Sequence, residues 1–354
     1  TIETTIDSKA QQRLYDIVNT NDYIQYVNDK IQNAVVMLDT KTGAVRAVNG
    51  GRKQTTLLGY NRATDNTRST GSSIKPVIDY GPAIEYLNYS TGQTIMDQRT
   101  TYSNGVELNN WDFSHKGAMT LRTALVYSRN TTALQTFKAV GETNIKSFLN
   151  NLDIQIKNDG QDYLVESNSI GADISPIKMA AAYATFGNYG TYSKPYTVRK
   201  VTTRDGQVTE FKPEQKQAMK DSTAYMITDV LKDSFKYGFA TQATIPGLPT
   251  AAKTGSSNYT VEQKRAMGAS DYEDIIPDSW FIGYSTDYTI SAWTGYDNPY
   301  EQGGGVDTTE QEYSRMIYYY LMKYMAESSS GDDWVQPDSV VKQQIEIGSD
   351  PLSL

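Results

Sequence analysis

Two pairs of apolar runs at opposite ends of the chain constrain its fold more than any other feature. Val35-Val36-Met37-Leu38 and Val45-Arg46-Ala47-Val48 flank Asp39-Thr40-Lys41-Thr42-Gly43 and predict a β-hairpin. Far along the chain, Trp280 to Tyr284 and Tyr288 to Tyr296 predict a second hairpin around Ser285-Thr286-Asp287, and Pro249 to Gly255 predicts one more strand. A mostly helical middle separates them. Strands, helices, then strands indicate one large α/β domain, in which the two ends of the chain pair in an antiparallel sheet across helical layers.

The middle carries its own signals. Ser175-Pro176 opens a helix with a capping serine and a proline at its first position. Ile177, Ala180, Ala181 and Ala184 keep the helical period until Gly187. A second helix follows Asp221-Ser222, burying Met226 or Ile227, Val230, Leu231 and Phe235, and stops at Gly238. Asp307-Thr308-Thr309-Glu310 resembles the start of a helix with Ile317, Leu321, Tyr324 and Met325 on one face. Residues 1–30 are polar and mixed and are expected to be an approach segment or linker. Residues 31–327 then form the main domain. Ser328-Ser329-Ser330-Gly331 marks a flexible exit to a C-terminal extension, 328–354. No repeat at solenoid periods is present.

Composition removes whole classes of chemistry. With no cysteine among 354 residues there is no thiol nucleophile, Cys-ligated zinc, iron–sulfur cluster or disulfide framework. A single histidine leaves one possible Ser-His-Asp triad and no metal site that needs two or three imidazoles. Forty-one acidic against 33 basic residues, a net charge of −8, argue against broad nucleic-acid binding. No apolar run approaches the roughly 18 residues of a membrane span. With Thr1 first and no signal sequence, the expectation is an excised soluble piece of a longer protein. Catalysis must rest on Ser, Thr, Lys, Asp, Glu or Tyr.

A serine hydroxyl needs a neighbour to remove its proton. Without a spare histidine that base is lysine, provided burial or a second ammonium lowers its pKa. Ser-x-x-Lys, which sets both side chains on one helical face, occurs at Ser72/Lys75, Ser175/Lys178 and Ser339/Lys342. Ser175 is explained as a helix cap, and Ser339 lies in the tail. Ser72 follows Gly71, and a helical pattern continues beyond Lys75-Pro76 through Ile78, Ala83, Ile84 and Leu87. A glycine-led helix start exposes the hydroxyl beside free backbone N–H groups. The bland alternative is another capping serine.

Two further triplets weigh against that alternative. Ser128-Arg129-Asn130 ends the apolar helical stretch Leu121 to Val126, and Lys253-Thr254-Gly255-Ser256 ends the first returning strand. Each has a decoy: Ser256-Ser257-Asn258 repeats the Ser-x-Asn pattern, and Lys41-Thr42-Gly43 is a hairpin turn. His115 reads as a solvent-edge loop residue, because no Gly-x-Ser-x-Gly elbow accompanies it. Gly303-Gly304-Gly305 lacks the lysine of a phosphate loop, and Tyr318-Tyr319-Tyr320 lies within a helix as packing. Asn258 to Ser279 is either a connection or a rim over the site, and the rim is favoured.

Gly71-Ser72-Ser73-Ile74-Lys75-Pro76, Ser128-Arg129-Asn130 and Lys253-Thr254-Gly255-Ser256, in this order, resemble the three motifs of penicillin-binding proteins and serine β-lactamases. Thr4-Thr5-Ile6-Asp7, Leu121-Arg122-Thr123-Ala124-Leu125, Ser175-Pro176 through Tyr183, Trp280-Phe281-Ile282-Gly283-Tyr284 and Trp293-Thr294-Gly295-Tyr296 are similar to the transpeptidase half of class A penicillin-binding proteins. The likeness covers roughly residues 4 to 325. It implies an antiparallel five-stranded sheet sandwiched by helices, with an all-helical subdomain, and it implies no metal or cofactor. It further implies a glycosyltransferase domain and membrane anchor elsewhere in the parent protein, hence the outer face of the bacterial cytoplasmic membrane.

The roles implied by the resemblance follow position by position. Ser72 attacks the penultimate D-alanine carbonyl of a peptidoglycan stem peptide, and Lys75 takes its proton. Ser128 relays a proton to the leaving D-alanine amine, and Asn130 orients Lys75 and holds the substrate amide. Lys253 depresses the Lys75 pKa and attracts the terminal carboxylate, which Thr254 and Ser256 hydrogen-bond within the Thr254-Gly255-Ser256 stretch. Backbone N–H groups of Ser72 and Ser256 form the oxyanion hole. β-Lactams mimic the D-Ala-D-Ala end and stop at the acyl stage. Ser256 stands where threonine is commoner. Arg129 replaces the aspartate of class A β-lactamases, and no Glu-x-x-Leu-Asn motif supplies their deacylating carboxylate, so hydrolytic release should be slow. Three alternatives stay open: a D,D-carboxypeptidase, a β-lactam sensor without turnover, and a non-catalytic wall-binding module.

Overall fold

The computed structural model describes residues 1–346. Its centre is a five-stranded antiparallel sheet of β1 (Gln32–Asp39), β2 (Val45–Asn49), β3 (Ala251–Ser256), β4 (Asp278–Tyr284) and β5 (Tyr288–Gly295). Their spatial order is β3-β4-β5-β1-β2. The join between the two ends of the chain is the β5–β1 ladder, in register from Tyr288 opposite Asp39 to Gly295 opposite Gln32. Both predicted hairpins and the predicted third strand are therefore present, in one sheet.

Nine α-helices occur among the described residues. The first five are α1 (Ser8–Asn19), α2 (Gly81–Leu87), α3 (Leu121–Val126), α4 (Asn130–Val140) and α5 (Glu142–Asn151). The others are α6 (Pro176–Gly187), α7 (Asp221–Lys232), α8 (Val261–Ala266) and α9 (Tyr313–Ala326). Alternation along each strand sends side chains to opposite faces, and both faces are apolar. Val36, Leu38, Ile282, Tyr284 and Trp293 join a core shared with α6, α7 and the helical middle. Val35, Met37, Phe281, Ile290 and Ala292 join a second core capped by α1 and α9. This is a sheet between helical layers, with α2, α3, α4 and α5 packed together beside α7.

Four expectations need correction. Residues 1–30 are part of the body: Ile2–Thr4 pairs with Val198–Thr202, and α1 buries Ala10, Leu14, Ile17 and Val18. Asp7 caps α1 by accepting the N–H groups of Lys9 and Ala10. Ser175 stands at the N-cap position of α6, but its side chain makes no capping bond; the proline at the first turn starts that helix. The helix after Asp221 ends at Lys232 and tightens into the 3₁₀ turn Asp233–Phe235, short of Gly238. Finally, Ser328–Gly331 is no exit: the chain folds back, and Trp334 is buried edge-on to Tyr284 with its indole N–H donating to Gly187 O at 2.8 Å. The rest of the predicted extension, 347–354, lies outside the described residues.

Candidate active site

Residues 71–87 form one helical run with three geometries. Gly71–Ile74 is a 3₁₀ turn, Pro76–Tyr80 a π turn, and α2 completes it. The Lys75 N–H bonds to Ser72 O, closing a turn in which side chains three apart eclipse. Ser72 and Lys75 therefore share a side. The Ser72 amide lies in the first turn, which has no intrahelical acceptor.

Two glycines press this turn against the end of β3. Gly71 sits at φ +51°, and a Cβ there would fall inside the backbone of Ser256. A Cβ on Gly255 would collide with the Thr70 carbonyl. Only the absence of both side chains lets the first and third triplets touch. Trp280 of β4 locks the approach from below, donating its indole N–H to Ser69 O at 2.8 Å.

The second triplet arrives from the turn between α3 and α4. Ser128 has φ +54°, a left-handed conformation that costs an L side chain energy and persists where surroundings enforce it. The enforcing residue is Arg129, which is buried. Its Nε donates to Asp97 at 2.9 Å, one Nη to Asp112 at 3.0 Å and the other to Ser114 O at 2.6 Å. Asp97 also accepts from Asn110, Thr131 and the Lys116 amide, and Asn110 Oδ1 accepts the Asn130 amide. The bond to Arg129, with help from Ser114, holds the Asp112 carboxyl well below the usual carboxylate range. The fork geometry of guanidinium suits this three-way clamp.

The three triplets meet on one hydroxyl. Lys75 Nζ donates to Ser128 O at 2.8 Å and to Asn130 Oδ1 at 2.8 Å, and lies 3.1 Å from Ser128 Oγ. Lys253 Nζ donates to Ser128 Oγ at 2.9 Å and to Thr254 O at 3.0 Å. A neutral amine has two N–H groups and one lone pair. Two carbonyl oxygens occupy the N–H groups of Lys75, so its lone pair is free to accept a hydroxyl proton. Among the described residues no hydrogen bond joins Ser72 Oγ to either lysine.

Electrostatics favour that neutral form. Lys75 is 0% exposed, and burial, then the Lys253 ammonium, lower its pKa well below the ordinary lysine value; Asp79 opposes this, and Arg129 adds to it. Burial alone brings Lys253 down to about 7. Asp79, one turn after Lys75, is also fully buried, and neither of its carboxyl oxygens finds a hydrogen-bond partner among the described residues. Burial raises its pKa well above the carboxylate range despite Lys75. That burial disfavours the charged carboxylate and so weakens Asp79 as a counter-ion to Lys75.

A cleft of about 850 Å³ opens above this network. Ser72, Ser128, Asn130, Thr254, Gly255 and Ser256 line it, with both lysines buried beneath. Asn258, Asp274 and Ile276 border it from the segment between β3 and β4. The other candidates lie apart. Lys178 donates to Asp153 O, Ser339 bonds Asp221 on the surface, and His115 stands exposed, its Nδ1 3.8 Å from Asp97. Sequence reasoning singles out every residue of the lysine–serine network but gives Arg129 and Asp97 no role and overlooks Asp79. The one available signal is a cation at the middle of the second triplet.

Comparison with known proteins gives the following likenesses. Residues 33–322 match the family model described as the penicillin binding protein transpeptidase domain. The chain is 39% identical over its whole length to "Penicillin-binding protein 1A/1B" of Bacillus subtilis, covering 38% of that protein. It is 38% identical over 96% of its length to "Penicillin-binding protein 1A" of Streptococcus pneumoniae, covering 48% of it. The chain thus spans about half or less of the length of these relatives. Among solved structures, penicillin-binding protein PonA1 from Mycobacterium tuberculosis superposes with a TM-score of 0.81 at 22% identity, over 97% of this chain and 92% of that one. Its complex with penicillin V superposes with a TM-score of 0.80 over 95% and 88% of the two chains. At that identity the likeness establishes a shared fold.

Proposed function

The chain belongs to the penicillin binding protein transpeptidase family, and on that footing we propose that it is a peptidoglycan D,D-transpeptidase working through an acyl-enzyme on Ser72. The terminal carboxylate of a D-Ala-D-Ala stem peptide docks on Lys253, Thr254 and Ser256, and Asn130 holds the amide of the penultimate residue. Seating the donor brings Ser72 Oγ onto Lys75, which receives its proton as the oxygen attacks the penultimate carbonyl carbon. The oxyanion faces the amides of Ser72 and Ser256, a contribution of about 3–4 kcal/mol per donor in comparable sites. The C–N bond then breaks. The proton on Lys75 passes through Ser128 to the departing D-alanine nitrogen, leaving Lys75 neutral again. An amine from a neighbouring strand attacks the ester and gives a proton to Lys75, which returns it to Ser72 Oγ as the C–O bond breaks.

A β-lactam would enter the same sequence at its first step. Its opened nitrogen stays tethered to the acyl group, so it cannot leave to admit an amine. The relatives' greater length supports a parent protein with a glycosyltransferase domain and a membrane anchor, acting on the outer face of the bacterial cytoplasmic membrane.

The observation that carries this reading is the buried chain Lys75–Ser128–Lys253, made of three distant triplets and opening beside Ser72. Intact-mass measurement after exposure to benzylpenicillin tests it. One stable adduct is expected on the unaltered protein, mapping to Ser72 and absent in Ser72→Ala. Labelling at Ser175, or no labelling, defeats it.

A further inference from the structure

A second cavity, of about 760 Å³, lies behind the end of β3 and has no part in the steps above. Ser256, Asn258 and Ile170 line both it and the catalytic cleft, so the two spaces share a boundary. Its charged walls are Arg68, Asp173, Asp278 and Asp297. Asp297 is gripped by Arg62 through two bonds, at 2.7 and 2.6 Å. Arg68 is fully committed: Nε meets Asp278 at 2.9 Å, and its two Nη donate to Tyr296 O and Pro277 O at 2.8 and 3.3 Å. Asp278 also accepts from Ser257 and Trp293. Asp173 is left over. It is exposed in the cavity, and among the described residues no hydrogen bond or ion pair engages its carboxylate.

The backbone fixes that carboxylate relative to the nucleophile. Asp173–Ile174 pairs antiparallel with Arg68–Ser69, Asp173 opposite Ser69, and the Thr70 amide donates to Ala172 O at 3.0 Å. The turn that carries Ser72 begins directly after, at Gly71. An unpaired carboxylate in a concave space attracts a cation. Asp173 is not part of the cleft lining, so it acts on a portion of the ligand away from the reacting atoms.

Resting on the transpeptidase reading, we infer that this second cavity is a subsite for an alkylammonium group of the donor stem peptide, held by Asp173. The reaction needs an amine on the accepting strand. Neighbouring strands are copies of one polymer, so an uncrosslinked donor carries the same amine. With its terminal carboxylate on Lys253, Thr254 and Ser256, the donor extends across Ser256 and Asn258 into the second cavity. A carboxylate favours the charged form of an amine beside it, and an ammonium has no lone pair with which to attack. The group held here is therefore the donor's own amine and not the nucleophile. Asp173 thereby selects donors whose amine is still free.

Two penicillins, made by acylating 6-aminopenicillanic acid with Nα-acetyl-lysine or with Nα,Nε-diacetyl-lysine, differ in whether the side-chain amine is free. Second-order acylation rate constants for both, on the unaltered protein and on Asp173→Asn, test the subsite. The ratio of free to acetylated compound is expected to be about fivefold in the unaltered protein, the worth of one solvent-accessible carboxylate–ammonium contact, and about one in Asp173→Asn. Asp173→Glu, which keeps the charge, should retain a preference. Raising NaCl from about 0.05 to about 0.5 M should shrink the ratio in the unaltered protein, a measurement that needs no variant to fold. A ratio below about twofold in the unaltered protein, or one that keeps more than half its value in folded Asp173→Asn, overturns the subsite while leaving Ser72 acylation intact. A second arm uses diacetyl-lysyl-D-alanyl-D-lactate as donor and Nα-acetyl-lysinamide as acceptor. An unchanged penicillin ratio with a higher half-saturating acceptor concentration in Asp173→Asn gives the cavity to the accepting strand and overturns the donor assignment. Absence of any acylation of the unaltered protein overturns the transpeptidase reading and the subsite together.

Discussion

Lys75 and Lys253 illustrate how position, more than residue type, decides chemistry. Both are buried, and each has a pKa below its ordinary 10.5, by burial in both cases and by the other's charge at Lys75. The proposed mechanism needs the two in opposite states. In it Lys75 accepts a proton and works neutral, so acylation should rise with pH through its lowered pKa. Lys253 in that mechanism attracts a carboxylate and works charged, so acylation should fall as pH rises through about 7. The second-order rate constant for acylation, which reports the free enzyme, should therefore be bell-shaped with its falling limb near neutrality. Lys253→Arg, permanently charged, should abolish the falling limb and leave the rising one. Stopped-flow acylation between pH 5 and 10 decides this; a falling limb that survives in Lys253→Arg belongs to another group.

Among secondary elements, the turn after α3 carries the heaviest structural demand. Arg129 compensates Asp97, which is wholly buried, and Asp112 beside it. Arg129→Met keeps the apolar bulk and strands the Asp97 charge, and the loss should be about 3–5 kcal/mol in urea unfolding. A loss under 1 kcal/mol would show that Asp97 is satisfied by its three neutral donors alone. This clamp also shows what a linear reading can and cannot find. The strands are plain in the sequence because continuous apolar runs are local, and so are the three triplets, each held within one turn or strand end. Arg129 and Asp97 are 32 residues apart, and no local pattern announces such a pairing. Asp79 is hidden for the opposite reason: in the sequence it reads like a surface acid, and only the fold shows that it is buried with its carboxyl pKa raised. The helix α1 reads as a polar linker although Ala10, Leu14, Ile17 and Val18 follow helical spacing after a capping Asp7, because its other face is polar.

For the molecule as a whole, the fold serves to close one sheet with strands from both ends of the chain, so that β3 can lie beside residue 71. That closure depends on the outer layer as much as on the helical side. Leu14 is fully buried between α1 and the second core, and Leu14→Ala should cost about 2–5 kcal/mol in global unfolding. A loss near zero would mean that residues 1–30 are dispensable to the domain after all. Trp334 ties the far end of the chain to Gly187 and Tyr284 in the same way. Everything so assembled removes two lysines from water around one serine hydroxyl. The charge state of the first of them is therefore the decisive quantity, and the ¹³Cε chemical shift of Lys75, identified by its loss in Lys75→Arg and followed against pH, reads it directly. The amine is expected to lose its proton well below the ordinary lysine range; an ammonium that persists through pH 10 would contradict the account.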